Sequence, residues 1–440
     1  MTNSLEKNKI WAMVVAGLLV IVSLIYFSIN IFYIYLVVYI WFGVIYGMLL
    51  QYGRFCMASA LRDLFGLGVT RMFAGIMLAV IIFSIIMAFL ETIKMTTFHT
   101  GPFGGFRIVG GLIFGIGMVM SGGCASGTLY KCGEGNGTSM LALTAITISQ
   151  AVFVNIGGYF DKFTTIYVEN LPEYSMSEFI STAPMSYFIG NSLLNTIIPA
   201  IILLIIAYVI WGRKSYISNT NLKITLSEEI SGFFQMLAAS KKTVIAGLLI
   251  GIAAGAHVFT IDALRRYFDI ENFGELLKNM GYSCDINSNG RIFDPGYWYI
   301  TTQEAQLGAW FLKHIGINTT SNLFFNGVGV PFPLRNPALW MSLGIIFGAS
   351  IMALWNNEFK IKIPKGEFIV WGLLGGTLMG IGARAGMGCN IGAFFIRVAG
   401  GDPSGWLFGL GLAIGSLIGV KFFDWWTTRK LDNFDDFGDL

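Results

Sequence analysis

Charge is what this chain has least of. Asp, Glu, Lys and Arg together make up 12% of its 440 residues, about half the share of a soluble domain. The shortage is concentrated in uncharged runs at 10–53, 72–90, 108–130, 135–160, 179–212, 243–261, 336–357, 368–383 and 403–420. Most of them reach the roughly 20 residues that a helix needs to cross a bilayer. This excludes an ordinary soluble domain, and the short alternating segments of a β-barrel are missing too. The expected fold class is all-α: a polytopic helix bundle in the lipid bilayer of the cell (inner) membrane. A net charge of only +3 excludes nucleic acid as a partner. Three histidines, His99, His257 and His314, are scattered without metal-ligand spacing, so neither a metal nor another cofactor is expected. There is no Walker A loop, no GxSxG and no dinucleotide fingerprint, which removes an energising ATPase and points away from an enzyme. The first apolar run outlasts a signal-peptide core and lacks a small-residue cleavage site, so it reads as a retained helix. No acidic residue stands in a plain proton-relay pattern, and the driving force of any transport is not legible.

Glycine, by contrast, is plentiful, at 55 residues. In membranes it lets helix backbones approach and lets helices break. Two stretches carry the same glycine pattern. Aligned without a gap, they agree at Gly110/Gly375, Gly111/Gly376, Gly115/Gly380, Ile116/Ile381, Gly117/Gly382, Gly123/Gly388, Cys124/Cys389 and Gly127/Gly392. Each starts as an apolar helix and breaks on glycines at a cysteine, the mark of a transporter built from internal repeats with its site at the breaks. A weaker echo pairs Gly43 and Gly47 with Gly247 and Gly251, and Ala60-Leu61-Arg62 with Ala263-Leu264-Arg265, which puts Thr260 nearest Cys56. The expected organisation is a first membrane repeat at 1–215, a linker at 216–242 and a second repeat at 243–440. The second repeat includes a long polar loop at 265–336.

Basic residues cluster in the loops 212–242 and 356–367, which the positive-inside rule places in the cytoplasm. The acidic connection 161–178 and the loop 265–336 then fall outside, the latter as a cap with short helices. With an outer loop before Gly110 and a cytoplasmic one before Gly375, the two repeats would be inverted in the membrane. Whether the segments 108–134 and 368–400 return to their own side as re-entrant half-helices or cross stays open at this point.

Of five cysteines, three lie beside a glycine or small residue in apolar segments: Cys56, two residues after Arg54; Cys124, in Ser-Gly-Gly123-Cys-Ala-Ser126-Gly; and Cys389, in Gly388-Cys-Asn390-Ile-Gly, five residues after Arg384. A lone cysteine in an apolar helix is ordinarily a small packing residue. The matched Cys124/Cys389 pair is harder to explain by packing. A helix that starts at a glycine break aims unpaired N–H groups and about half a positive charge at the break. A thiol there offers a weak S–H donor and a polarisable sulfur, which suits a soft anion provided the thiol stays protonated. Cys132, after Lys131, reads as incidental, and Cys284 as structural or a free surface thiol. The charges Arg62–Asp63 and Lys131–Glu134 read equally as segment ends or as path markers.

At these residues the chain resembles the YeeE/YedE family of sulfur transport membrane proteins. The resemblance rests on Gln51…Arg54-Phe55-Cys56…Ala60-Leu61-Arg62-Asp63, on Ser121-Gly-Gly-Cys124-Ala-Ser-Gly-Thr-Leu-Tyr130-Lys131-Cys132-Gly133-Glu134-Gly135, and on Gly-Ile-Gly-Ala-Arg384 with Gly388-Cys389-Asn390-Ile-Gly-Ala-Phe-Phe395. It departs from the family at Lys131-Cys132 and in the length of 265–336. The resemblance implies nine to ten membrane helices plus four short half-helices. It implies import of thiosulfate or a related small sulfur anion through a central path, with Cys56, Cys124 and Cys389 passing the terminal sulfur along by S–H···S contacts. Gly123, Gly388, Asn390, Ser126, Arg54 and Arg384 would shape that path. A soluble TusA-type sulfurtransferase is the implied partner. A selenium-compound transporter of the same fold, a membrane sulfurtransferase that forms a cysteine persulfide, and a channel-forming scaffold are the competing readings.

Overall fold

The computed structural model describes residues 2–96, 98, 101, 103–168, 187–216, 225–270, 273–281, 298, 300–317 and 332–435. Cys284, the acidic stretch 169–178 and the last five residues lie outside them. The first helices are α1 (Thr2–Ile29), α2 (Ile34–Gly53), α3 (Met57–Leu67), α4 (Arg71–Thr92), α5 (Gly105–Met120), α6 (Ala125–Gly133) and α7 (Gly137–Val168). Next come α8 (Ile198–Ala207), with π-helical turns Tyr187–Ile197 before it and Tyr208–Gly212 after it, then α9 (Arg213–Tyr216) and α10 (Leu226–Ala238). The remainder are α11 (Lys241–Tyr267), α12 (Phe273–Asn279), α13 (Thr301–His314), α14 (Pro337–Trp355) and α15 (Glu367–Ala385). They are followed by a π-helical turn Asn390–Phe395, α16 (Ile396–Ala399) and α17 (Ser404–Asp435). Among the described residues nine segments are long and apolar enough to cross a membrane, and no strand occurs beyond one isolated bridge, Asn136 with Lys362. Helices suit lipid because every interior N–H and C=O is satisfied within the segment. The protein is a multi-pass membrane helix bundle.

Helix pairing is reciprocal. α2 runs along α14 while α4 runs along α11; α5 lies against α17 while α15 lies against α7; α3 touches α17 while α13 touches α7. Exchanging α2 with α11, α3 with α13, α4 with α14, α5 with α15 and α7 with α17 maps this set onto itself. The α5–α15 crossing shows the same reciprocity at atomic scale. A Cβ on Gly110 would lie 2.9 Å from the Gly382 carbonyl oxygen, and one on Gly382 2.7 Å from that of Gly110. A Cβ on Gly117 would lie 2.6 Å from the Gly375 oxygen, and one on Gly375 2.6 Å from that of Gly117. Residues aligned in sequence therefore meet crosswise, backbone on backbone, as surfaces related by a two-fold axis do.

The echo that set Thr260 opposite Cys56 does not survive in the fold. α11 runs unbroken through Thr260, whose hydroxyl bonds back to the Ala256 carbonyl at 2.8 Å. In the helix pairing, α13 and not α11 holds the place opposite α3.

Contacts between loops define two ends. At the basic end Arg54 pairs with Glu358, Asn136 bridges to Lys362, and Lys430 meets Glu367 at 2.5 Å. At the far end the Asn30 side-chain amide donates to the Asn279 carbonyl at 3.2 Å, Gly101 N–H donates to Asp402 at 2.8 Å, and Asn195 donates to the Gly401 carbonyl at 3.0 Å. α5 starts at the far end and α6 finishes at the basic end; α15 and α16 run the opposite way. The glycine-broken segments thus pass from one end to the other as discontinuous helices. α3 and α13 leave from and return toward the end they came from.

Candidate functional site

Four short helical starts converge in two pairs. Toward the basic end, α2 closes on Arg54 in a left-handed conformation (φ 53°), and the chain extends through Cys56 before α3 begins. α5 stops at Met120, and Cys124 caps α6, its sulfur accepting the Gly127 N–H at 3.4 Å. The Cys56 and Cys124 sulfurs lie 3.6 Å apart, and the Cys124 sulfur is 3.5 Å from the Ser126 hydroxyl. Both thiols are buried, with 1% and 0% of their residues exposed. Gly127 makes the meeting possible, since a Cβ there would lie 2.5 Å from the Cys56 sulfur and 3.2 Å from that of Cys124. The side chain of Lys131 reaches back to the Gly122 carbonyl, within electrostatic reach of Cys56.

Toward the far end, α15 stops at Ala385, Gly388 takes a left-handed conformation (φ 142°), and buried Cys389 precedes the turn Asn390–Phe395. Its neighbour across the break is the start of α13: the Thr301 side chain lies within electrostatic reach of the Cys389 thiol. The Arg384 guanidinium reaches the Thr301 hydroxyl at 3.4 Å. Glu304, one turn further along α13, is 2% exposed, and neither of its carboxyl oxygens has a hydrogen-bond partner among the described residues. Burial pushes this carboxyl up to about 8, with Arg384 acting in the opposite direction.

Ser126 from one break and Asn390 from the other line a shared internal cavity of about 20 Å³, closed by Phe55, Trp298 and Phe395 among others. Trp298 stacks on Tyr46 with ring centroids 3.9 Å apart. The Asn390 side-chain oxygen has no partner among the described residues. A cavity of this size holds about one water, so the two breaks are in line but closed off from each other. At the basic end a much larger vestibule of about 780 Å³ touches Ser121 and Gly122; Arg62, Lys131, Lys362 and Lys365 line it against one acid, Asp424, with apolar walls that include Trp371 and Phe423. The excess of basic groups favours anions there.

The structure therefore brings Cys124, Ser126, Gly123 and Cys56 together, and separately Cys389, Gly388, Asn390 and Arg384. It does not bring Arg54 to the thiols. The Arg54 side chain turns outward, half exposed, and pairs with Glu134 at 2.6 Å and Glu358 at 2.9 Å. Thr301, Glu304 and Trp298 are absent from the sequence reading. They follow an insertion that separates α13 from α11, so no alignment of the halves could carry the eye to them. The only signal is a single acid in the short run Thr301-Thr-Gln-Glu-Ala-Gln-Leu-Gly308 between polar stretches. Cys132 is buried, within electrostatic reach of Glu304. Among the described residues no group of three His, Cys, Asp or Glu side chains could hold a metal.

Comparison with known proteins places this geometry. A family model described as sulphur transport matches residues 52–418. A thiosulfate transporter, TsuA, of Spirochaeta thermophila is 25% identical over 386 residues, covering 85% of this chain and 94% of that protein. TsuA of Escherichia coli is 26% identical over 372 residues, covering 83% and 88%. A probable transporter of Escherichia coli, YedE, is 31% identical over 128 residues, 29% of this chain and 32% of the other.

Proposed function

The chain belongs to the sulphur transport family, and on that premise we propose that it imports thiosulfate, or a closely related sulfur oxyanion, from the far end to the basic end. In this reading the basic end faces the cytoplasm, following the positive-inside rule. Residues 1–215 and 243–440 are inverted repeats, and the reciprocal helix pairing supports this. The observation that carries the reading is the placement of the thiols: each sits at a break where a short helix begins, two of them 3.6 Å apart. Amide-rich helix starts attract an anion. A neutral S–H can donate to its terminal sulfur without the repulsion a thiolate would exert. The anion would meet Cys389 first, pass between Asn390 and Ser126 as Phe55, Trp298 and Phe395 move aside, and then engage Cys124 and Cys56. The vestibule would receive it, and would be where a TusA-type sulfurtransferase collects it.

The thiols are closed off from any carrier protein, so the relay is one of hydrogen bonds and not of persulfides, which require an accessible thiolate. Uptake of labelled thiosulfate into proteoliposomes tests the proposal, with sulfate, sulfite and selenite as competitors. Unlabelled thiosulfate should compete and sulfate, which lacks the terminal sulfur, should not. Sulfate competing as well as thiosulfate would sink the thiol-relay reading.

A further inference from the structure

The far-end site holds a group that anion recognition alone leaves unexplained. Glu304 is buried beside the place where the Cys389 thiol, the Thr301 hydroxyl and the Arg384 guanidinium come together, within electrostatic reach of both Arg384 and Cys389. Among the described residues neither of its oxygens receives a hydrogen bond. An ionised carboxylate in that position is doubly unfavourable: it lacks donors, and it repels the anion that Arg384 and the helix start attract. A neutral carboxyl removes both penalties and leaves the Arg384 charge for the anion. Proton and anion then favour each other's binding, and by linkage the favour is mutual.

We propose that Glu304 is a proton-binding site coupled to the anion, taking up one proton from the medium when the anion binds beside Cys389 and Arg384, so that the two cross together. This rests on the transport reading above and adds its driving force. A dianion that enters against an inside-negative potential moves two charges uphill, and one proton per cycle cancels half of them. Among the described residues the basic-end pair has no such group: its nearby charge is Lys131, and Glu134 is paired with Arg54. The described groups that face Glu304 are Arg384 from α15, Cys389 from the break after it and Cys132 from α6. α7 up to Phe153 and the whole of α14 contain no titratable side chain.

The test uses purified full-length protein in weak buffer with thiosulfate as the probe. Binding should draw about one proton per anion from solution above the titration of Glu304, and the apparent Kd should weaken about tenfold per pH unit there. Glu304→Gln should bind with no proton uptake and a flat pH profile. Cys132→Ala, which removes the other titratable side chain on that face outside the binding site, should keep the proton uptake. In proteoliposomes with the potential clamped, an acid-outside gradient should drive several-fold accumulation by the wild type and leave Glu304→Gln uptake unmoved. Thiosulfate binding by the wild type without proton uptake overturns the proposal while leaving transport intact, and so does proton uptake that persists in Glu304→Gln. Failure of the wild type to bind or carry thiosulfate at all overturns the transport reading and this one with it. Should Glu304→Gln not fold, the wild-type and Cys132→Ala titrations decide: no uptake in the first, or its loss in the second, is against Glu304.

Discussion

The two breaks are built alike and equipped differently. At the basic end two thiols face each other across Gly127 with a lysine nearby. At the far end one thiol faces a hydroxyl, backed by a guanidinium and a buried carboxyl. A shared architecture therefore supplies the helix starts, and the side chains decide what each start does. On the proposed reading the far end would select charge and couple it to a proton, whereas the basic end would offer soft sulfur beside a lysine and let the anion go toward the vestibule.

That contrast can be broken, and the largest effect should come from the matched cysteines. Cys124→Ala and Cys389→Ala should each cut thiosulfate uptake roughly 100-fold, the scale of a lost hydrogen bond to a charged partner at ~1.5–3 kcal/mol, with protein levels in the membrane unchanged. Equal loss at both ends would show a series path; loss at one end alone would leave the other cysteine as packing. The next effect sharpens the difference between the ends. Thr301→Ala should reduce uptake about tenfold, whereas Thr301→Cys, which makes the far end resemble the basic one, should recover most of it in the same transport assay. Gly127→Ala should push the two basic-end sulfurs apart at a cost of ~1–3 kcal/mol, read as a lower Tm together with slower uptake. The smallest effects lie outside both sites. Arg54→Ala removes a half-exposed pairing and should cost no more than ~1 kcal/mol in thermal stability. Cys284→Ala should leave thiosulfate-dependent growth unchanged.

Much of the bundle could be read in advance because hydropathy and glycine spacing are local signals. The paired Gly-Cys motifs announced the breaks at 121–124 and 386–389, and the resemblance named Cys56, which composition alone could not separate from packing. What escaped was long-range. Arg54 adjoins Cys56 in sequence, but a left-handed residue at the end of α2 throws its side chain the other way. Thr301 and Glu304 sit behind an insertion, and their meaning appears only when α13 is seen to take the place opposite α3. The course of the broken helices stayed open in the sequence for a related reason: whether a broken helix turns back or goes on depends on which loops it joins, and that rests on contacts such as Asn136 with Lys362.

The chamber between Ser126 and Asn390 has a consequence for the cell beyond cargo. With room for about one water and aromatic rings around it, it cannot hold the continuous file of waters along which protons hop. On the proposed reading this shape would keep the lipid barrier electrically tight, so the ion gradients of the membrane would not be short-circuited while no passenger is aboard.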